Sequence, residues 1–311
     1  MSKHEEQKGY TPAELGAPDV WIRRMPSGSR IMAVKAKLSL SEKHNEITVI
    51  ENKPMITADG YYRLNQVASL GIITPDNIKI PSEDGVRDVA NPFPIIDKSS
   101  GTQRGVWVKK LAVGYSPIGS LVITSTTMFY DFSVYFIADL QKKIRYDKTA
   151  GRLCFFDQLT EEEKKAGIFM RIEGELGLWA NTEHSDVIKC VSTWIQNKQF
   201  GERKAQTIAE RNALRHHPAL SVRLEGLRGG DKNHMAEVTV IGWQHSHSKE
   251  ELEEIARSAE RGESVEVDGQ EVEYKEFTGE VTQEDQAAGT EADPEMVQSD
   301  EPDEEEQEGI F

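Results

Sequence analysis

Apolar positions in this chain fall into short clusters whose spacing changes from segment to segment, and the spacing predicts the elements. After the polar residues 1–15, Val20–Trp21–Ile22 and Ile31–Met32–Ala33–Val34 open the patterned part. Residues 46–51 (EITVIE) are rich in β-branched side chains and predict a strand. From Asp59–Gly60, the residues Tyr61, Leu64, Val67, Ala68 and Ile72 recur at helical spacing until Pro75, which predicts a short helix. Residues 75–104 carry Pro81, Pro92 and Pro94 with several aspartates and read as a long surface excursion. The clearest local signal follows: residues 106–115 and 120–130 are two apolar-rich runs joined by Ser116–Pro117–Ile118–Gly119, a predicted β-hairpin.

A helix is predicted directly after it, over residues 132–145, with Val134, Ile137, Ala138 and Ile144 as core positions. Lys142, Lys143 and Arg145 near its end complement the helix dipole. Thr160 followed by Glu163 is a capping pair opening a short helix to Ala166. Two longer helices are predicted over 185–197 and 202–217, the second stopped by Pro218. A strand over 236–243, an exposed helix over 250–261 and a small hairpin over 264–277 about a VDGQ turn complete the reading. The expected fold is α+β, a small antiparallel sheet built on the hairpin and packed against helices, followed by a disordered acidic C-terminal tail. The expected divisions are a flexible N-terminus (1–15), a mixed α+β core (16–248), a small acidic helix/hairpin extension (249–277) and the tail (278–311).

Charge distribution changes what net charge implies. The 311 residues carry −16, but residues 249–311 hold 24 acids against 4 bases, which leaves 33 bases and 29 acids in residues 1–248. A mildly basic body of +4 thus precedes a tail of −20. Residues 276–308 supply 14 acids and no base, too little apolar surface to offset chain entropy. Two cysteines, Cys154 and Cys190, are too few for a disulfide framework and read as buried thiols. No run approaches the roughly 20 apolar residues of a membrane span, and the first residues lack a signal-peptide stretch. The expectation is a cytoplasmic protein with no membrane partner.

Residues 198–232 are the most basic stretch. At about 100° per residue, Lys204, Arg211 and Arg215 share a narrow helical sector beside Ala205, Ile208, Ala209 and Ala213, which would aim three cations outward for phosphates; Arg203, in the same basic stretch, is a further candidate contact. A solvated helix face is the competing reading. In the hairpin, alternation sets Trp107, Lys109 and Leu111 on one face and Val108, Lys110 and Ala112 on the other, with Trp107 as a candidate base-stacking ring unless it belongs to the core. Walker A, G-x-G-x-x-G, G-x-S-x-G and H-E-x-x-H patterns are missing, so no enzyme and no cofactor is expected. His245 and His247 are a pair of imidazoles without a third ligand in the sequence.

The order strand, helix, long loop, hairpin, helix, basic helix resembles the phage single-strand annealing proteins of the RecT, Redβ and Erf group. The resemblance rests on residues 53–61 (KPMITADGY) leading into a helix and on residues 203–214 (RKAQTIAERNAL), the second departing from the group's pattern at Glu210 and Asn212. It implies single-stranded DNA binding and pairing in a homo-oligomer, without nucleotide hydrolysis. The ending 303–311, an acidic run followed by Ile310–Phe311, resembles the acidic tips of bacterial single-stranded-DNA-binding proteins. That likeness implies capture of replication or recombination proteins, with Ile310 and Phe311 in an apolar pocket and the acids on a basic rim. The expected function is therefore single-stranded DNA binding or annealing. Lys109, Lys110, Lys142, Lys143, Arg145, Arg203, Lys204, Arg211 and Arg215 would be phosphate contacts and Trp107 a stacker. A non-enzymatic assembly or regulatory protein working through its acidic tail is the alternative.

Overall fold

The computed structural model of the chain describes residues 13–14, 20–50, 53–82, 84–98, 100–230, 232–245 and 247–280. The expected flexible N-terminus, apart from Ala13 and Glu14, and the tail from residue 281 on, with Ile310 and Phe311, lie outside the described residues. The architecture is α+β, with several small sheets and, among the described residues, five α-helices. These are α1 (Ala58–Ala68), α2 (Phe132–Tyr146), α3 (Glu161–Ala166), α4 (Ser185–His216) and α5 (Lys249–Glu260).

The predicted hairpin is the centre of the molecule. Strands Gln103–Tyr115 and Leu121–Asp131 pair antiparallel, with Trp107 opposite Phe129 and Leu111 opposite Ser125. The turn closes through Gly119 at φ 79°, a left-handed conformation that costs glycine little. The face carrying Val106, Val108, Lys110 and Ala112 is covered by α2, α4 and α1, and the face carrying Lys109, Leu111 and Val113 by α5 and a second sheet. Cover on both faces explains why these strands read as near-continuous apolar runs.

The second sheet has the order Ala13–Glu14, Val20–Arg24, Arg30–Ser41, Met235–Gln244, Glu225–Arg228. Helix α1 presses on it at Gly242, where a Cβ would lie 1.6 Å from the Val67 carbonyl oxygen. Leu40, Ile47, Tyr61, Leu64, Leu214 and Val240 form the core between this sheet, α1 and the end of α4. A three-stranded sheet of Gly151–Phe155, Leu176–Asn181 and Gly167–Glu173 packs through Leu178 and Ala180 on Phe136, Leu140 and Ile144 of α2.

Several expectations change: Val134, expected in the core of α2, is 55% exposed, and Ile72, expected in the first helix, lies in the strand Gly71–Ile73. The two helices expected over 185–217 are one helix, α4, because Val187, Cys190, Trp194, Asn197, Gly201, Ala205 and Ile208 form one continuous stripe at spacings of three and four. Gly201 lies between the two expected segments, at the point where the Phe132 ring rests against the helix, 2.2 Å from where a Cβ would sit. The excursion over 75–104 is instead a hairpin, Asn77–Ser82 with Gly85–Ala90, and a strand, Phe93–Ile96, that pairs with Gln103–Trp107. Ile78, Ile80 and Val89 alternate inward there, and Pro94 is tolerated because its strand lies at an edge. Helix α5, expected to be exposed, buries Leu252, Ala256 and Ala259 against the central hairpin. After the VDGQ turn the chain rejoins the central sheet, with Glu273–Glu280 pairing parallel to Leu121–Asp131, so Thr278–Glu280 belong to a strand and not to the tail. Among the described residues, no helix is long and apolar enough to cross a membrane.

Candidate nucleic-acid interface

The basic residues of α4 acquire neighbours that their helical spacing alone does not identify. Strands Ile47–Ile50 and Lys53–Ile56 form a short hairpin, which leaves Lys53 exposed and buries Ile56. Glu46, just before it, accepts from the Ser41 amide at 2.8 Å and pairs with Arg63 of α1, which clamps hairpin, sheet and helix together. Thr57 caps α1: its hydroxyl accepts from the Gly60 amide and donates to the Asn45 carbonyl. With α1 anchored in this way, Tyr61 turns toward the last turns of α4. His217 ends that helix, donating through Nε2 to the Val122 carbonyl at 3.2 Å and accepting from the Ala219 amide at Nδ1, also at 3.2 Å. Residues 222–224 return alongside.

A cleft of about 500 Å³ results, lined by Lys53, Pro54, Met55, Ile56, Tyr61, Arg211, Arg215, Val222, Arg223 and Leu224. Four of these are cations, and none of the described residues lining it is acidic. Lys53, Arg215 and Arg223 are exposed. Arg211 is 2% exposed, and its guanidinium donates to Asn212 Oδ1 at 3.0 and 3.3 Å. Burial pushes the Tyr61 hydroxyl above the usual phenol range, while the positive charges of Arg215 and Arg211 pull the other way. Met55, Pro54, Val222 and Leu224 offer apolar surface between these cations.

The structure separates the other expected contacts. Lys109 is buried and bonded to Glu260 at 2.7 Å and Glu276 at 3.4 Å. Burial opposes its charge, but the Glu260 bond and the charges of Tyr274, Glu260 and Glu276 outweigh that and raise its pKa. Lys110 points to the opposite face, donating to Thr74 Oγ1 at 2.8 Å and lying 3.8 Å from Glu210. Glu210 also bonds Tyr62 and, with burial, holds that hydroxyl well above the phenol range. Both lysines thus tie elements together inside the protein, and the outward aim expected of the α4 row fails for Arg211. Trp107 is half-buried, its ring 5.1 Å from that of Phe129 and packed on Ile78, Ile80 and Val89. Arg203 is exposed, whereas Lys204 is half-buried and donates to Asn197 Oδ1 at 2.9 Å. Lys142 and Arg145 are exposed near the end of α2, away from this cleft, and Lys143 is half-buried.

Lys53, Tyr61 and Arg223 were not among the expected site residues. The signal was present in part: Lys53 and Tyr61 bound the first stretch that carries the resemblance, and Arg223 lies in the most basic stretch. His247 bonds the Tyr115 hydroxyl at 3.0 Å and lies 3.6 Å from Asp268, while His245 reaches the Ser69 carbonyl at 3.4 Å. Among the described residues, no group of three or more His, Cys, Asp or Glu side chains is arranged to hold a metal ion. No protein-family model, no curated protein and no solved structure matches the chain.

Proposed function

We propose that the chain binds single-stranded nucleic acid, DNA in the first instance, in the cleft between α1, the 47–56 hairpin and the end of α4, without catalysing a reaction on it. One observation carries the reading: in a chain of net charge −16, four cations converge with apolar side chains on a cleft whose described lining holds no acid. Such a lining suits a strand whose phosphates meet cations while its unstacked bases meet apolar surface, which a duplex does not present. Pairing of complementary strands and assembly into a homo-oligomer, as the resemblance implies, extend the same reading.

The test is a titration of labelled single-stranded and duplex oligonucleotides at several salt concentrations. Lys53, Arg215 and Arg223 are replaced together by Ala, and Arg211 is left in place because it is buried. Losing three phosphate contacts on a single strand should flatten the slope of log K against log salt by about 2. The melting temperature should hardly move, since exposed charges contribute little to stability. An unchanged slope removes the cleft from the reading. No binding of single strands by the unaltered chain at low salt removes the function.

A further inference from the structure

A second cleft, of about 580 Å³, opens between the last turns of α2 and the three-stranded sheet. Its floor is apolar: Ile144 and Leu178 are buried, and Leu153 and Ile172 reach it while 59% and 50% exposed. Its rim is cationic. Arg152 is already neutralised by Glu163, at 3.0 and 3.1 Å, and Lys142 lies 3.9 Å from Asp139. Arg145 and Lys148 have no such partner among the described residues, and none of the described residues lining the cleft is acidic. Exposed aliphatic side chains beside unpaired cations are complementary to a peptide with an apolar anchor next to an acidic run.

We propose that the occupant is residues 301–311 of the same chain, EPDEEEQEGIF, with Ile310 and Phe311 on the apolar floor and Asp303–Glu306 over Arg145 and Lys148. The chain topology permits it. Glu280 lies opposite Phe129, two residues before Asp131, which caps α2. One strand spacing, two strand residues and fourteen helical rises place Arg145 no more than roughly 33 Å from Glu280. The 20 residues between Glu280 and Glu301 can bridge at most about 70 Å, roughly twice that distance. Tethering at that range holds the segment near millimolar effective concentration, so a weak peptide contact is occupied within one molecule. This cleft shares no lining residue with the nucleic-acid cleft, so the inference stands apart from the proposed function.

The experiment uses the full chain with Phe311 replaced by the photocrosslinker p-benzoylphenylalanine, irradiated in dilute solution and mapped by peptide mass spectrometry. Crosslinks within one chain to residues 138–153 and 172–178 are expected. Their yield should fall about tenfold in Arg145→Glu/Lys148→Glu, because two exposed attractions become repulsions. That variant's melting temperature should match the parent's, which separates lost docking from lost folding. Crosslinks to the region of Lys53, Arg215 and Arg223, or yield untouched by the charge reversal, would overturn the proposal. Crosslinks between chains that rise with concentration would make a second copy the partner and overturn the same-chain assignment.

Discussion

Replacing His217 by Gln isolates one titration that sits at the structural root of the candidate interface. His217 is 0% exposed, and the bonds to the Val122 carbonyl and from the Ala219 amide fix the neutral tautomer with the proton on Nε2 and the lone pair of Nδ1 facing the Ala219 amide. Protonating Nδ1 would set two N–H donors against each other in a site without water access. Burial pushes the pKa down to about 4 from 6.5, the carbonyl bonds to Val122 and Gly114 oppose that fall, and the charge of Lys275 adds to it. The folded pKa is thus the depressed one. Stability from the neutral ring is fully present above pH 6.5 and is lost as pH falls toward 4, where the unfolded chain takes up a proton that the folded chain resists. Two and a half pH units at 1.36 kcal/mol each correspond to about 3 kcal/mol. His217→Gln keeps a donor for Val122 but does not titrate, so it should start about 1 kcal/mol less stable at neutral pH, having lost the Ala219 acceptor. Urea denaturation followed by circular dichroism at a series of pH values should then show the parent losing about 3 kcal/mol more than the variant between about pH 7 and pH 4. Other titrating groups cancel in that difference. Parallel stability curves for the two proteins would refute the burial and hydrogen-bonding account of His217.

Lys109→Ala should leave Glu260 and Glu276 facing each other and destabilise the fold by about 2 kcal/mol, with faster hydrogen exchange along 273–280 and unchanged oligonucleotide affinity. A loss of affinity with no loss of stability would restore it as a phosphate contact. Gly201→Ala should lower the melting temperature although alanine favours helices by about 1 kcal/mol, because overpacking against Phe132 costs about 1–3 kcal/mol and the ring is held by its own core; a rise would show that the ring yields. Truncation after Glu280 removes 12 acids and no base, and it should tighten single-strand binding most at low salt, where long-range repulsion between those acids and the strand's phosphates is least screened. Equal binding by the full and truncated chains across salt would show no such repulsion.

Elements whose signals are local were legible in the residues themselves. The hairpin over 106–130 was marked by two apolar runs about a Gly119 turn, and α3 by the reciprocal Thr160 and Glu163 bonds at 2.8 and 3.1 Å. α2 and the turn at Asp268–Gly269, both at positive φ, follow from the same short-range rules. What depends on a distant partner was not legible. Residues 185–217 read as two helices until Phe132 of another helix is seen against Gly201, and Ile78, Ile80 and Val89 read as loop until Trp107 and Phe93 complete their cluster. The strand Glu273–Glu280 carries acids that hide it, and only parallel pairing with Leu121–Asp131 gives it a place.

The interface divides in the same way. Strand alternation put Lys109 and Lys110 on opposite faces, as the structure has them, but whether those faces met water or protein depended on α5 and α4, whose Glu260 and Glu210 meet the two lysines. Helical spacing grouped Arg211 with Arg215, yet only tertiary packing buried one, left the other exposed and brought Lys53, Tyr61 and Arg223 beside them. Periodicity constrains which way a side chain points from its own backbone. What it meets is set by contacts between segments far apart in the chain, and those exist only once the chain has folded.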